Sequence, residues 1–267
     1  QLESSGMREM LRDLKPSCIE DIVAAVALYR PGPMENIPEF IRAKHQGSIT
    51  YPHPLLEPIL KDTYGILVYQ EQIMQVASVM AGFTLGQADI LRRAVGKKKK
   101  EILDEQREAF VAGCVRQGHS PQLAHELYDL IVKFANYGFN RSHAAAYGYL
   151  AYITAYLKAN HPVPFMAALL TSVKDNGDKV AEYVRECRRM GIAVLPPDVN
   201  ESLKDFTVVG ERIRFGLAAV RNVGEAAAEA ILRARESGGP FRSLLDLLTR
   251  VDLRVVNRRV VESLIQA

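Results

Sequence analysis

Residues 84–100 read TLGQADILRRAVGKKKK, and this stretch indicates both the class of fold and the kind of partner. Thr84 and Gln87 form a capping-box pattern, which predicts that a helix begins here. The helix should end at Gly96, because glycine commonly terminates helices. Residues 92–100 hold two arginines and four lysines and no acidic residue. Neighbouring like charges repel by about 1 kcal/mol or more at contact, so this basic helix end indicates either a polyanionic partner or a solvated terminus that suits the helix dipole.

Through the first two-thirds of the chain, glycine and proline repeatedly end one apolar-periodic segment and begin the next, which predicts a mainly α fold. Apolar residues recur there with helical spacing, and little of the pattern is typical of strands. The predicted helices cover residues 7–14, 19–28, a segment ending near 82, 85–95, 101–116, 121–136, a segment from the 139–143 connection to about 160, and 178–190.

Beyond residue 175 the pattern changes, and short elements replace long helices. Phe206–Val209 and Ile213–Phe215, separated by Gly210 and Glu211, predict a small β-hairpin. We therefore predict a mainly α fold in three parts: a multi-helix domain at 1–175, a connecting helix and linker at 176–200, and a small hairpin plus helix-hairpin-helix module at 201–267.

Composition excludes several classes of protein. The chain has 267 residues, 48% hydrophobic and 24% charged, which is enough for one or two cores and excludes a disordered chain. No apolar run reaches the ~18 residues of a membrane span, and no signal-peptide pattern occurs. We therefore expect no membrane partner and a cytoplasmic location. The chain starts with glutamine and its last helical pattern has no stop signal, so we expect a piece of a longer protein.

The sequence contains no self-contained catalytic or metal site. HExxH, GxSxG, paired CxxC, Asp-x-Asp and Walker-type motifs are all absent from it. The three cysteines are too far apart for a metal knuckle and odd in number for a disulfide framework. Glu71 is interpreted as a helix-surface residue, and Asp89 as an intrahelical ion-pair partner of the two arginines that follow it. We predict no catalytic residue and no metal ligand in this chain.

A second candidate site lies at Asn140-Arg141-Ser142-His143. Ser142 could cap the following helix, and the free backbone amides with Arg141 and a protonated His143 would form an anion cradle. The alternative is a simple helix cap with a packed imidazole.

A third candidate lies at Val220-Arg221-Asn222-Val223-Gly224. This pattern, followed by an alanine-rich helix, is typical of a helix-hairpin-helix, whose turn amides hold a DNA phosphate without contacting bases. Residues 241–265 could form a second, degenerate copy with Arg258 and Arg259, although packing explains them equally well.

Several further segments follow one another in an order that is known from a single family. They read QLES at 1–4, LYRPGP at 28–33, YGI at 64–66, YQEQIM at 69–74, ADILRRA at 88–94, GFNRSH at 138–143 and LPPDVN at 195–200. The first six resemble the fingers domain of the bacterial DNA polymerase III alpha subunits, the C-family replicative polymerases. The last, with Gly216-Leu217 and Val223-Gly224, resembles the family's helix-hairpin-helix segment.

The resemblance implies a large enzyme that adds deoxynucleotides to a primer, with two Mg²⁺ ions held by palm-domain aspartates. In the family these aspartates precede the QLES segment and lie outside this chain, so the fragment alone should be inactive. The implied partners are template-primer DNA, deoxynucleoside triphosphates, the palm and thumb of the same subunit, a sliding clamp and other replisome subunits.

The motifs described above and the resemblance together assign roles to individual residues. The predicted triphosphate ligands are Arg92, Arg93, His143 and Lys97. The predicted DNA contacts are Lys98, Lys99, Lys100, Arg30, Arg141, Arg221, Val223, Gly224, Arg258 and Arg259. Arg30 could instead anchor its own proline-rich loop, and Lys97 and Lys98 could each contact either the triphosphate or the template backbone. Two alternatives of other classes are a non-catalytic helix-hairpin-helix DNA-binding protein, and a small enzyme that uses Arg92, Arg93 and His143 to bind a phosphate ligand.

Overall fold

The computed structural model describes residues 2–47, 49–97, 100–135 and 138–267. The chain divides into two compact units, Gln1–Ile153 and Thr154–Ala267. Within the described ranges, no helix combines the length and the apolar character that a bilayer span requires.

The first unit is built from α-helices that surround one core. They are α1 (Ser5–Leu14), α2 (Ile19–Leu28), α3 (Ile37–Gln46), α4 (Glu57–Leu60), α5 (Gln70–Ala81), α6 (Leu85–Lys97), α7 (Lys100–Arg116), α8 (Pro121–Ala135) and α9 (Arg141–Asn160), of which α9 crosses the division between the units. α2 is the most buried, because its apolar residues from Val23 to Leu28 are all enclosed. Gly82 and Gly118 follow α5 and α7 with φ of 68° and 87°, a left-handed conformation that favours glycine.

The second unit combines short helices with a three-stranded sheet. Its helices are α10 (Pro162–Ser172), α11 (Gly177–Arg189), α12 (Gly224–Gly238), α13 (Leu244–Arg250) and α14 (Arg258–Gln266). The strands β1 (Val194–Leu195), β2 (Thr207–Val209) and β3 (Arg212–Arg214) have the order β1-β3-β2. β2 and β3 form an antiparallel hairpin, and β1 pairs parallel with β3. One core lies around α10, α11 and the sheet, and another around α12 to α14.

The mainly α fold is confirmed, as are most predicted helices and the β2–β3 hairpin. The predicted end of α6 at Gly96 is wrong, because α6 continues to Lys97. Glycine inside a helix costs only about 1 kcal/mol, which the surrounding helix tolerates. The sequence patterns did not predict α3, α4, α10 or β1. The domain bounds at 175 and 200 stay a prediction. The two compact units divide between Ile153 and Thr154, and the core around α10 and α11 includes residues up to Ala219.

Gly113 in α7 lies where the helix approaches the end of α5. A Cβ atom at this position would overlap the carbonyl oxygen of Ala81 and lie 2.9 Å from the Ala81 Cβ. Gly113→Ala is therefore expected to lower the free energy of unfolding by about 1–3 kcal/mol, because the helix backbones must move apart. Gly86→Ala in α6 is the matched control, since a Cβ there meets no atom within 4 Å. Urea unfolding of both variants checks this, and equal stability would contradict it.

Candidate functional site

Two segments that are distant in sequence meet where α5 and α9 begin. The amide of Phe139 donates to the carbonyl of Val68 at 3.0 Å, and the amide of Gln70 donates to the carbonyl of Phe139 at 2.9 Å. This makes an isolated parallel bridge between Tyr69 and Phe139. We call residues 68–71 and 138–143 the α5–α9 junction.

The Arg92 side chain extends from α6 to this junction. Its Nη1 donates to Gln70 Oε1 at 3.1 Å, and its Nε and Nη2 donate to Asp89 Oδ1 at 2.9 and 2.7 Å. Arg93 Nη2 lies 2.8 Å from Asp89 Oδ2, so one carboxylate pairs with both arginines, and the predicted role of Asp89 is confirmed. Hydrogen bonding from Arg92 lowers the pKa of Asp89 below its usual value. The Arg92 side chain is 29% exposed and that of Arg93 is 66% exposed, so Arg92 is the more constrained of the two.

The first turn of α9 is capped by two residues other than Ser142. Asn140 Oδ1 accepts from the His143 amide at 2.8 Å. The Glu71 carboxylate accepts from the Arg141 amide at 3.0 and 3.1 Å. The prediction of a Ser142 cap is wrong, and these two amides are not free for an anion in this conformation. Glu71, predicted as a helix-surface residue, instead links α5 to the N-terminus of α9 through this hydrogen bond. The positive end of the helix dipole lies there and favours a carboxylate.

Aromatic side chains support His143 and Arg30 at the same junction. The exposed His143 ring packs edge-on against Phe139 at 5.3 Å and lies 4.5 Å from the Tyr147 ring, centroid to centroid. The Arg30 guanidinium lies 4.2 Å from the centre of the Phe139 ring, and its Nε donates to the Ala27 carbonyl at 2.9 Å. Burial lowers the pKa of Arg30 from its usual value. Phe139 therefore supports both basic side chains.

Arg141 adds a further positive charge to the junction. Its Nη2 lies 3.3 Å from Asp62 Oδ2, and its guanidinium lies 5.6 Å from the centre of the Tyr69 ring. Four predicted site residues thus meet at the junction: Arg141 and His143 belong to it, Arg30 packs on its Phe139, and Arg92 donates to its Gln70. The junction itself was not predicted, although its two halves lie in the YQEQIM and GFNRSH segments.

The predicted lysine ligands cannot be placed in the same way. Lys98 and Lys99 lie outside the described residues, as do the side chains of Lys97 and Lys100. Lys97 ends α6 and Lys100 begins α7.

The predicted helix-hairpin-helix is formed by a short 3₁₀ turn, Leu217–Ala219, a tight turn and α12. Gly224 begins α12 with a φ of 59°, which favours glycine. Arg221 is exposed next to it, whereas Val223 packs into the core and its amide donates to the Val220 carbonyl at 3.0 Å. The Val223 side chain therefore does not face solvent.

The segment that could be a second copy contains α13, a turn and α14. Asn257 caps α14, because its Oδ1 accepts from the Val260 amide at 3.2 Å. Arg258 and Arg259 follow at the exposed start of that helix, and Arg258 Nε donates to Glu262 Oε1 at 2.7 Å. Asn222 Nδ2 donates to Ser263 Oγ at 3.0 Å, which joins the first hairpin to α14.

No metal-binding cluster is found in the part of the chain that the structure describes, where no three His, Cys, Asp or Glu side chains come together to hold an ion. These residues do not fit a magnesium site.

Two family models match the chain. Residues 1–118 match the bacterial DNA polymerase III alpha subunit finger domain, and residues 191–267 match a helix-hairpin-helix motif. The chain is 58% identical over 273 residues to the DNA polymerase III subunit alpha of Thermus aquaticus, covering 100% of this chain and 22% of that protein. It is 56% identical over 266 residues to the Bacillus subtilis subunit and 52% over 276 residues to that of Pseudomonas aeruginosa, each match covering at least 99% of this chain and 24% of the relative. The chain thus spans less than a quarter of the length of these relatives.

Proposed function

Because the chain belongs to the family of bacterial DNA polymerase III alpha subunits, we propose that it binds the incoming deoxynucleoside triphosphate and the template-primer during DNA synthesis by a full-length subunit. The first unit, with the α5–α9 junction, would hold the triphosphate. The second unit, with its two hairpins, would hold the DNA duplex. The observation that carries the proposal is the meeting of Arg30, Arg92, Arg141 and His143 at one junction.

Arg92 is the central triphosphate ligand in this proposal. A guanidinium group has five N–H donors, and among the described residues Arg92 uses three of them, toward Asp89 and Gln70. One N–H on each terminal nitrogen is left to donate to phosphate oxygens, as in paired arginine–phosphate contacts. Arg93 and His143 are exposed, and in this proposal they add positive charge or a proton, with Lys97 as a further ligand.

The DNA contacts are proposed at two helix starts in the second unit. Gly224 and Arg221 mark the start of α12, and Arg258 and Arg259 the start of α14. A helix N-terminus with exposed arginines attracts phosphate through backbone N–H groups and charge, without reading sequence. Lys98, Lys99, Lys100, Arg30 and Arg141 are further proposed DNA contacts in the first unit.

The chemical step would depend on residues outside this chain. We propose that palm aspartates elsewhere in the subunit hold Mg²⁺ and perform the nucleotidyl transfer, so this chain alone is inactive. Its own residues bind, orient and neutralise charge. The thumb, the sliding clamp and other replisome subunits stay predicted partners of the whole subunit.

The proposal is tested by fluorescence anisotropy of a labelled primer-template with the 267-residue chain across a salt series. Each phosphate contact contributes about −0.9 to the slope of log K against log salt. Arg258→Ala/Arg259→Ala should reduce the magnitude of that slope by about 2, because two phosphate contacts are lost. Arg92→Ala/Arg93→Ala should change DNA binding little and instead weaken binding of a triphosphate. Arg116→Ala, an exposed arginine at the end of α7, is the control.

Two outcomes would contradict the proposal that the first unit binds the triphosphate and the second unit binds DNA. If Arg92→Ala/Arg93→Ala abolishes DNA binding while Arg258→Ala/Arg259→Ala retains it, the basic end of α6 is the DNA site. If the chain binds DNA but no variant affects triphosphate binding, the alternative of a non-catalytic helix-hairpin-helix protein is favoured.

A further inference from the structure

Gln70 makes a hydrogen bond with each polar group of its side chain. Its Oε1 accepts from Arg92 Nη1 at 3.1 Å, and its Nε2 donates to the Gly138 carbonyl at 3.1 Å. Its backbone amide donates to the Phe139 carbonyl at 2.9 Å. One residue thus connects Arg92 on α6 with the segment that leads into α9 and His143.

Arg92 is held on opposite edges of its guanidinium plane. Asp89 accepts from Nε and Nη2 on one edge, and Gln70 accepts from Nη1 on the other. A planar group that is fixed at two edges cannot rotate about its Nε–Cζ bond without breaking a hydrogen bond. Charged groups that are fixed before the reaction stabilise developing charge more effectively than mobile ones.

We propose that Gln70 is a positioning residue for the triphosphate site, which fixes the plane of Arg92 against the segment that leads into α9. This inference rests on the proposed function, because it assumes that Arg92 binds the triphosphate. An amide side chain suits this role, since it accepts at one atom and donates at another. Glutamate could accept from Arg92 but could not donate to Gly138, and methionine could do neither.

A purely structural role for the Gln70 side chain is disfavoured by the contacts around it. The junction is also held by backbone hydrogen bonds between Phe139 and residues 68–70. The start of α5 is held separately by Gln72, whose Oε1 accepts from the Val68 and Tyr69 amides at 2.9 and 3.0 Å. Removing the amide of Gln70 should therefore leave the junction folded and release Arg92.

The first test measures the rotation of the Arg92 guanidinium by ¹⁵N NMR of arginine Nη resonances in the 267-residue chain, assigned with Arg92→Lys. The two Nη resonances of Arg92 should be separate in the wild type and should merge in Gln70→Met, because rotation becomes faster. Gln70→Glu should keep them separate, since its carboxylate still accepts from Nη1. Gln75→Met, an exposed glutamine of the same helix, is the matched control. Unchanged Arg92 resonances in Gln70→Met would overturn the proposal.

The second test measures binding of deoxyadenosine triphosphate to the same chains by calorimetry at low ionic strength. Gln70→Met should weaken binding about three- to tenfold, the usual effect of losing one net hydrogen bond, and Gln75→Met should not. One outcome would overturn the link between positioning and binding. In it, the Arg92 resonances merge in Gln70→Met but the affinity for the triphosphate is unchanged, although Arg92→Ala/Arg93→Ala does lose affinity. If Arg92→Ala/Arg93→Ala keeps its affinity, the proposed function fails and the triphosphate role of Gln70 fails with it. The NMR result still decides whether Gln70 fixes Arg92.

Discussion

Lys44→Met is expected to lower the free energy of unfolding of the first unit by about 3 to 5 kcal/mol at pH 7, the usual cost of removing one partner of a buried ion pair. Lys44 Nζ lies 2.7 Å from Asp21 Oδ2, and the two side chains are 8% and 0% exposed. The substitution leaves a carboxylate that has no access to water and no opposite charge. The expected loss is a large part of the stability of an ordinary domain.

The remaining contacts of Asp21 show why the carboxylate stays charged in the native protein. The Tyr64 hydroxyl donates to Oδ1 at 2.6 Å, and the Ser17 amide donates to Oδ2 at 2.8 Å. Burial by itself raises the pKa of Asp21, but the hydrogen bonds from Lys44, Ser17 and Tyr64 outweigh it and lower that pKa to about 2. The network joins α2 to α3 and to the turn after α4.

The same network predicts a pH dependence of stability. The pKa of Asp21 is lower in the folded chain, about 2 against an ordinary value of 3.8. Its contribution is therefore fully present above pH 4 and is lost as the pH falls through about 2. The difference corresponds to about 2.5 kcal/mol. Asp21→Asn/Lys44→Met should lack this part of the acid dependence.

Hydrogen exchange of α2 backbone amides in the native chain measures these effects within the first unit. The double variant Asp21→Asn/Lys44→Met should lose less protection than Lys44→Met alone, because no unpaired charge stays buried. Lys61→Met, an exposed lysine of the same unit, should change stability by about 0.5 kcal/mol or less. Equal protection in Lys44→Met and Lys61→Met would contradict a stabilising ion pair.

Local signals explain which parts of the fold could be predicted. Thr84 and Gln87 form the predicted capping box, with the Gln87 amide donating to Thr84 Oγ1 at 3.3 Å and the Thr84 amide donating to Gln87 Oε1 at 2.9 Å. Ser120 likewise accepts from the Leu123 amide at 3.2 Å and caps α8 as predicted. α3 and α10 each have proline in their first two positions, where proline starts a helix instead of ending one. β1 has two residues, too few for any periodic signal.

The individual residues of the candidate site were predicted from the sequence, but their arrangement in space was not. Arg92, Arg141 and His143 stand out in the sequence as basic residues near helix ends. What brings them together is the pairing of Tyr69 with Phe139, seventy residues apart, which no local pattern encodes. For the same reason Glu71 was interpreted as a surface residue, because the amide that it accepts from belongs to another helix. The buried pair of Asp21 and Lys44 is likewise separated by more than a full helix.

Arg92→Ala in a full-length subunit that contains this chain is expected to lower kcat for nucleotide addition about 10²- to 10³-fold, by the scale of other single electrostatic stabilisers. The proposed contact is with phosphate oxygens that gain negative charge as pyrophosphate leaves, so the loss should appear mainly in kcat. Arg93→Ala should lose less, because the Arg93 side chain is more exposed than that of Arg92 and pairs with Asp89 on its own helix.

Single-turnover incorporation of one nucleotide, measured across triphosphate concentrations, separates these effects. Arg92→Lys should recover part of the rate that Arg92→Ala loses. Lysine restores the positive charge but cannot make the hydrogen bonds of a guanidinium group to Asp89 and Gln70 at the same time. Arg116→Ala at the end of α7 should behave like the wild type. A rise in KM with unchanged kcat would mean that Arg92 holds the nucleotide equally well before and during the reaction. In that case its fixed position between Asp89 and Gln70 would serve binding alone, and the contribution to the chemical step would have to come from His143 or from outside this chain.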